Sequence, residues 1–202
     1  MGFSSSFEDG QPQPSWVSTV ETDAAGQPKS AGVIGSSGTG TPGNVADKAT
    51  VKANGDNPPN ETVAEINDLN VNSKWLVFAS TGWVTFDFAA SPQTIKKYTI
   101  SSANDEPERD PKDWTLQGSN NGTDWTVLDT RKDESFAERF QTKAYDIATP
   151  ASYQHYKLDI TANHGTDIVQ IAEVELSDGS TTPVAPNMRS LVGSGPTGGY
   201  TS

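Results

Sequence analysis

Cysteine is absent from this 202-residue sequence and histidine is scarce, and each shortage excludes a class of site. A chain without cysteine has no disulfide, no thiolate metal ligand and no cysteine nucleophile. Histidine occurs only as His155 and His164, too few for a multi-histidine metal centre. An enzyme built on this sequence would therefore need a mechanism that uses carboxylates alone.

Apolar and basic residues are also in short supply. Hydrophobic residues make up 33% of the chain, and no apolar run approaches the ~18 residues that a membrane helix needs. Lys and Arg total 14 against 26 Asp and Glu, so the formal net charge is −12. Because basic residues supply most of the affinity for phosphates, the sequence predicts no nucleic-acid partner and no membrane insertion. Neutral sugars, cations or basic partners suit this charge better.

Catalytic motifs are missing as well. The sequence contains no Gly-x-Ser-x-Gly elbow, no phosphate-binding loop and no zinc-binding pair. A glycosidase needs two carboxylates at a fixed separation in a cleft, whereas the many carboxylates here are explained as solvated surface charge. We therefore predict that the chain is not itself an enzyme.

The two ends of the chain differ in composition from its middle. Residues 1–43 and 179–202 are rich in Gly, Ser, Thr and Pro, and neither segment can bury enough apolar surface to offset its chain entropy. We expect 1–43 to be an N-terminal flank that is extended or part of a split neighbouring β-domain. We expect 179–202 to be a C-terminal linker or the start of the next unit. Residues 44–178 are predicted to form the domain.

Within this middle part, apolar and polar residues alternate in short segments separated by turn residues, which is typical of strands with one buried face. No segment keeps a 3.6-residue apolar period. About eight such strands predict an all-β fold, an antiparallel β-sandwich or jelly roll. The alternating apolar positions are Val84, Phe86 and Phe88; Tyr98 and Ile100; Trp114 and Leu116; Tyr156, Leu158 and Ile160; Ala172, Val174 and Leu176.

One turn and four tryptophans extend this prediction. Asn121-Gly122 tolerates the positive φ angles of a hairpin, so the segments that begin at Trp114 and Trp125 should pair directly. Packing in the core is expected for Trp114, Trp125 and Trp75. Trp83 is out of phase with the buried positions that follow it and is therefore the best candidate for an exposed aromatic side chain.

Three stretches of the domain resemble a known family. They are residues 68–75 (Asp-Leu-Asn-Val-Asn-Ser-Lys-Trp), the hairpin at 113–125, and the closing strand at 170–176. In this order they resemble the coagulation factor V/VIII type C, or discoidin, domain. They resemble more closely its bacterial relatives in carbohydrate-binding module family 32.

The resemblance implies a galactose-binding-domain-like sandwich that binds a glycan, without catalysis, and keeps a linked glycoside hydrolase near its substrate. The alternative is a structural or interaction domain that packs on its catalytic domain and binds no sugar. Residues 3–16 look like a segment of some large secreted glycosidases, including α-mannosidases of glycoside hydrolase family 92. We therefore expect a monomeric domain of a larger exported protein, secreted or at the cell surface.

The loop at 68–73 is the best candidate for a metal site, because Ca²⁺ prefers a mixture of carboxylate, carbonyl and hydroxyl oxygens. The resemblance implies a structural calcium ion. Its ligands would be the Ile66 carbonyl, Asp68, Asn70, Ser73 and Glu173. Asn70 departs from the family pattern Asp-Gly-Asp and removes one carboxylate. The alternatives are a polar turn without metal, and Glu175 in place of Glu173, since alternation sends both to one face.

The long charged loop at 103–112 is the candidate glycan site, because a sugar site combines an aromatic face with fixed polar groups. The polar groups would come from Arg109 with Asn104, Asp105 or Asp110. The aromatic face would come from Trp83, Phe136 or Phe140, and Asn163 with His164 would close the site. The alternatives are that Arg109 pairs with its acidic neighbours to order the loop and that His164 is an ordinary exposed turn residue.

Overall fold

A computed structural model of the chain describes residues 40–180, which form twelve β-strands and three short 3₁₀ helices. The strands are β1 (Thr50–Ala53), β2 (Trp75–Val77), β3 (Gly82–Asp87), β4 (Gln93–Thr94), β5 (Lys97–Ser101), β6 (Pro111–Ser119), β7 (Thr126–Arg131), β8 (Thr142–Asp146), β9 (Ser152–Tyr153), β10 (His155–Asn163), β11 (Val169–Ile171) and β12 (Glu173–Ser177). The 3₁₀ helices are Ala46–Lys48, Val63–Asn67 and Pro107–Arg109. The predicted all-β fold is confirmed.

The strands are arranged in antiparallel sheets. The largest has the order β1-β3-β10-β6-β7, and the others have the orders β12-β5-β8, β11-β2 and β4-β9. Buried apolar side chains from these sheets form one continuous core. Each large apolar side chain in it stabilises the fold by roughly 1.5–3 kcal/mol relative to exposure. Among residues 40–180, no helix has the length and apolar character needed to cross a membrane.

The alternation of apolar and polar residues in the sequence corresponds to the buried and outer faces of the five-stranded sheet. In β3, Val84 and Phe86 are fully buried, and they lie opposite Leu158 and Tyr156 of β10 in the antiparallel register. The residues between them face away from the core, because successive side chains of a strand point to opposite faces. Trp83 is accordingly 37% exposed, as its phase predicted.

The number of strands exceeds the eight or so that were predicted. Four of them, β2, β4, β9 and β11, contain two or three residues each, too few to show an alternating pattern. In β12 both faces are buried, although its sequence alternates. The face that carries Glu173 and Glu175 is covered by Asn70 and Thr41, whose backbone N–H groups donate to these two carboxylates.

Strands β6 and β7 pair directly, as the Asn-Gly turn predicted. Six residues, 120–125, connect them, and Gly122 has a φ of +73°. The side chain of Asn121 accepts hydrogen bonds from the N–H groups of Thr123 and Asp124, at 3.0 and 2.8 Å. The prediction that Trp125 lies in the core was wrong. Its ring is partly exposed on the outer face, 4.8 Å beneath the ammonium group of Lys157.

The other two tryptophans assigned to the core are buried, with their polar atoms satisfied. Trp75 donates to the Gly55 carbonyl at 2.8 Å, and Trp114 donates to the Tyr98 hydroxyl at 2.9 Å. Tyr98 donates in turn to Asp129 at 2.7 Å. These bonds matter because an unpaired polar atom inside a core costs about 1–3 kcal/mol.

The predicted flanks fall almost wholly outside the described residues. This applies to 1–39 and 181–202, including the segment 3–16 that resembles secreted glycosidases. At the edge of the described part, Asn44 forms a β-bridge with Ser177, and the Ser177 hydroxyl donates to the Pro42 carbonyl at 2.9 Å. The first described residues are therefore attached to β12.

The backbone of β6 packs closely against the ring of Tyr153 in β9, and this contact leads to a stability prediction. A Cβ atom at Gly118 would overlap the ring of Tyr153, which is partly buried. Replacing Gly118 with Ala should lower the free energy of unfolding by about 1–3 kcal/mol, because the ring must shift out of a packed position. Urea denaturation of Gly118→Ala, Tyr153→Ala and the double variant will measure this, and the Gly118→Ala loss should shrink in the Tyr153→Ala background. Equal losses in both backgrounds would show that the overlap is unimportant.

Candidate functional site

The loop at 68–73 is folded tightly around the carboxylate of Asp68. The backbone N–H of Asn70 donates to Asp68 Oδ1 at 2.9 Å, and the Ser73 hydroxyl donates to Asp68 Oδ2 at 2.8 Å. Leu69 has a φ of +64°, a left-handed conformation that suits glycine, the residue of the family pattern Asp-Gly-Asp. The loop thus has a left-handed residue at the position where the family pattern has glycine.

Glu173 is the carboxylate of β12 that faces this loop. It is 3% exposed, its Oε2 accepts from the Asn70 N–H at 3.3 Å, and its Oε1 has no partner among residues 40–180. Burial, and then the nearby charges of Asp68 and Glu175, raise its pKa to about 9. Glu175 instead accepts from the backbone N–H of Thr41 at 3.0 Å. Of the two glutamates left open by the sequence, Glu173 is therefore the one directed at the loop.

These groups fit an oxygen-ligated cation in their chemistry. A buried carboxylate oxygen without a hydrogen-bond partner gains most from a positive charge. Among residues 40–180, no three acidic, histidine or cysteine side chains converge on one point. A cation between Asp68 and Glu173 would therefore also need neutral oxygens. Ile66, Asn70 and Ser73 lie in or beside the loop and carry such oxygens.

The raised pKa of Glu173 makes stability depend on pH when no cation is present. Between about pH 4.5 and 9 the folded protein holds a proton on Glu173 that the unfolded chain releases. In EDTA the free energy of unfolding should therefore fall as the pH rises through this window, by up to about 1.4 kcal/mol per pH unit. Denaturant titrations at a series of pH values will test this. Glu173→Gln should remove this part of the slope, and an identical slope in that variant would contradict the assignment.

A second feature is a cleft of about 300 Å³ where three loops meet. It is lined by Pro107, Glu108, Asp110, Ser135, Phe136 and His164. Three residues predicted for the glycan site, Asp110, Phe136 and His164, are thus brought together. Phe136 is largely buried in the core, at 7% exposure, so it gives the cleft a small apolar surface, and the Glu108 carboxylate and the His164 imidazole supply polar groups.

Hydrogen bonds between the loops hold the cleft in shape. The carboxylate of Asp110, only 1% exposed, forms a two-pronged ion pair with the guanidinium of Arg139, which also donates to the Asp105 carbonyl at 3.1 Å. The backbone N–H of His164 donates to the Glu108 carbonyl at 3.2 Å, and its Nε2 lies 3.0 Å from the Glu134 carbonyl. A hydrogen bond from its own backbone N–H lowers the pKa of Glu108, so this exposed carboxylate stays charged.

Lys74 connects the cleft to the loop at 68–73. Its ammonium is largely buried and donates to Asp105 Oδ1 at 2.7 Å and to Gln170 Oε1 at 3.0 Å. Gln170 Nε2 donates in turn to the Asp105 carbonyl at 2.6 Å. Burial acts to raise the pKa of Asp105, but the hydrogen bond from Lys74 contributes to a pKa that is lower than usual. Asp105 therefore anchors its loop, and its side chain is already engaged.

Other predicted residues do not join the cleft. Asn163 is buried, and its Nδ2 donates to the Thr166 and Ile168 carbonyls at 3.0 and 2.7 Å, so it holds its own turn. Asn104 is exposed on the 103–112 loop away from the cleft lining, and Phe140 is 43% exposed. Within residues 40–180 Arg109 forms no salt bridge, because Arg139 is the partner of Asp110.

Trp83 lies at a different place, in a separate cleft beside Asp159 and Thr161. The expectation that it belongs to the loop site is therefore corrected, because its strand directs it to the outer face of the sheet. Sequence reasoning also missed Glu108 as a cleft residue, and it missed Arg139. The signal for Arg139 was weak, since it is an ordinary basic residue 29 positions from its partner Asp110.

Comparison with known proteins agrees with this fold. The F5/8 type C domain family matches residues 41–174, and the chain belongs to that family. The predicted discoidin-like resemblance is thereby confirmed.

Among curated proteins, a peptide-N(4)-(N-acetyl-beta-glucosaminyl)asparagine amidase of Arabidopsis thaliana is 43% identical over 84 residues. The match covers 39% of this chain and 12% of that protein's length. The chain therefore corresponds to a small part of this relative.

Solved structures of carbohydrate-binding modules share the fold. A family 32 module from Clostridium perfringens in complex with GalNAc-β-1,3-galactose has a TM-score of 0.56 at 16% identity, covering 66% of this chain and 99% of that one. A pectin-binding module has a TM-score of 0.56 at 22% identity, covering 71% and 96%. At these identities the similarity establishes the fold.

Proposed function

We propose that the domain is a non-catalytic carbohydrate-binding module that holds a linked glycan-processing enzyme, such as a glycoside hydrolase, on its substrate. The observation that carries the proposal is the cleft at the loop end, where the Glu108 carboxylate and the His164 imidazole lie beside the small exposed part of Phe136. A sugar ring needs this pairing of an aromatic surface with fixed hydrogen-bonding groups. Family membership and the glycan complexes of proteins with this fold support it.

The charge of the cleft favours neutral or amino sugars. Glu108 stays ionised in the cleft wall, and the chain has a net charge of −12. A uronate ligand would bring a further negative charge into this field, and like charges repel. We therefore place galactosides and amino sugars ahead of pectin or alginate fragments as ligands.

A structural calcium ion at the 68–73 loop completes the proposal. Asp68 and Glu173 would supply the charged ligands, and Ile66, Asn70 and Ser73 the neutral oxygens. The partnerless Oε1 of Glu173 supports this assignment. The ion would stabilise the loop by neutralising two carboxylates, without taking part in a reaction. We further propose a larger exported protein, secreted or at the cell surface, as the setting of this monomeric domain.

One observation favours the alternative of a domain that packs on its catalytic partner and binds no sugar. Phe78 is 66% exposed at the end of β2, and Val127 is 55% exposed on β7. Such side chains suit a contact with another domain. A linked domain seated on the 103–112 loop in the full-length protein would support this reading, because it would close the cleft.

Binding to sugars tests the main proposal. Calorimetric titration should show binding of galactose or GalNAc-β-1,3-galactose, and weaker binding of oligogalacturonate at low salt. His164→Ala should weaken the preferred sugar about tenfold, because the loss of one well-placed hydrogen bond is worth about 1–1.5 kcal/mol. Glu138→Gln, on the exposed neighbouring loop, is the matched control and should change little. Titrations that show no binding of any neutral, amino or acidic sugar would contradict the proposal.

Calcium binding has its own test. Asn70→Asp restores the second carboxylate of the family pattern and should raise Ca²⁺ affinity about tenfold or more. The reason is that the number of charged ligands changes the Kd of calcium sites by orders of magnitude. Glu173→Gln should abolish the rise in melting temperature that Ca²⁺ produces. Glu175→Gln should preserve that rise, because Glu175 is occupied by Thr41. A response to Ca²⁺ that survives in Glu173→Gln but disappears in Glu175→Gln would reverse the assignment.

A further inference from the structure

The outer face of the five-stranded sheet carries a cleft that is separate from the loop cleft. Its volume is about 310 Å³, and its lining includes Asn54, Thr81, Trp83, Asp159 and Thr161. It shares no lining residue with the cleft that contains His164. The two are nevertheless neighbours along the chain, because Asp159 and Thr161 belong to β10 and His164 directly follows that strand.

Trp83 is the aromatic wall of this second cleft. Its side chain is 37% exposed, whereas Val84 and Phe86 of the same strand are fully buried. The backbone of Trp83 is fixed on both sides, since its N–H donates to Asn54 Oδ1 at 2.9 Å and its carbonyl accepts from the Asn54 N–H at 3.3 Å. An exposed indole on a rigid strand is a preformed stacking surface for an apolar sugar face.

Asp159 places a carboxylate next to this ring. It lies directly across from Trp83 in the β3–β10 register. Gln117 Nε2 donates to its Oδ2 at 3.2 Å, and the Lys157 ammonium lies 3.8 Å from the same oxygen. Lys157 is itself held over the ring of Trp125 at 4.8 Å. The carboxylate is thereby oriented, and its Oδ1 forms no hydrogen bond within the described residues.

We propose that this cleft is a second glycan-binding site, which takes one neutral or amino sugar residue. The sugar stacks its C–H face on Trp83 and donates hydroxyl or amine hydrogens to Asp159. Thr81 and Thr161 also line this cleft, and the Thr161 hydroxyl donates to the Asp113 carbonyl at 3.3 Å. No basic side chain lines it, so an acidic sugar has no charge partner there.

Two sites on one domain have a consequence for affinity. A glycan with repeated or branched sugar residues can occupy both clefts, and the second contact then forms at a high effective concentration. The second site does not depend on the first, because their lining residues differ. Each can therefore be tested while the other is intact.

The test is an NMR titration that observes the two sites separately. The chain has five tryptophans, and comparison with Trp83→Phe identifies the indole N–H signal of Trp83. The probes are galactose, GalNAc-β-1,3-galactose, a chitosan oligosaccharide and oligogalacturonate. The signals of Trp83 and of the Thr161 amide should shift with a neutral or amino sugar and stay still with oligogalacturonate.

Variants separate the two sites. Asp159→Asn should weaken the binding reported by Trp83 about tenfold and leave the shifts at His164 unchanged. His164→Ala should have the opposite effect. Asp167→Asn, an exposed carboxylate outside both clefts, is the matched control and should change neither. These substitutions lie at partly or fully exposed positions, so the domain should keep its fold.

The outcomes distinguish this proposal from the function proposed above. Shifts at Trp83 without shifts at His164 support the second site and count against the loop cleft. Shifts at His164 with a silent Trp83 for every sugar overturn the second site. Loss of both responses in His164→Ala also overturns it, because one shared site would then explain them. An unchanged affinity at Trp83 in Asp159→Asn would equally reject it.

Discussion

The buried ammonium group of Lys74 is the interaction on which the loop end of this domain depends. A buried charge is tolerated only when oxygens surround it, and Lys74 has Asp105 at 2.7 Å, Gln170 at 3.0 Å and Glu61 at 3.4 Å. These partners come from three separate parts of the chain. Because Lys74 follows Ser73 directly, the same ion pairs join the acidic loop at 68–73 to the loop that forms the cleft.

Much of the charge in the 103–112 loop serves to shape it. Asp110 is paired with Arg139 and Asp105 with Lys74, while Asn163 holds the turn before β11. With these groups satisfied by the protein itself, the Glu108 carboxylate remains accessible beside Phe136, together with the exposed imidazole of His164, whose Nε2 lies 3.0 Å from the Glu134 carbonyl. A cleft whose walls are already held by internal hydrogen bonds would lose less entropy if a ligand bound there.

Sequence patterns identified the fold because the physical cause is local. Alternation in segments such as 84–88 and 156–160 follows from the two-residue period of a strand, and the hairpin follows from the positive φ of Gly122. The short strands, and the covered second face of β12, escaped prediction. The covered face of β12 depends on Thr41 and Asn70, which lie more than one hundred residues away in sequence.

The candidate sites were predictable as segments and much less so as individual residues. The 103–112 loop, Phe136 and His164 were identified from charge, aromatic character and family resemblance, and they do line one cleft. The positions of Trp125 and Trp83 could not be predicted from such patterns. Trp83 belongs to β3 and Trp125 directly precedes β7, yet Trp125 lies beneath Lys157 and Trp83 lines its own cleft. These positions depend on register between strands, which is a property of the assembled sheet.

By itself, then, the sequence determined the all-β class, the family, and the oxygen-rich loop at 68–73. These follow from composition, local period and short motifs. The tertiary structure alone decided which carboxylates are already paired, which glutamate of β12 faces the loop, and that Trp83 lines a different cleft from His164. Ion pairs and clefts are made by residues from distant parts of the chain, and no local pattern encodes their distances.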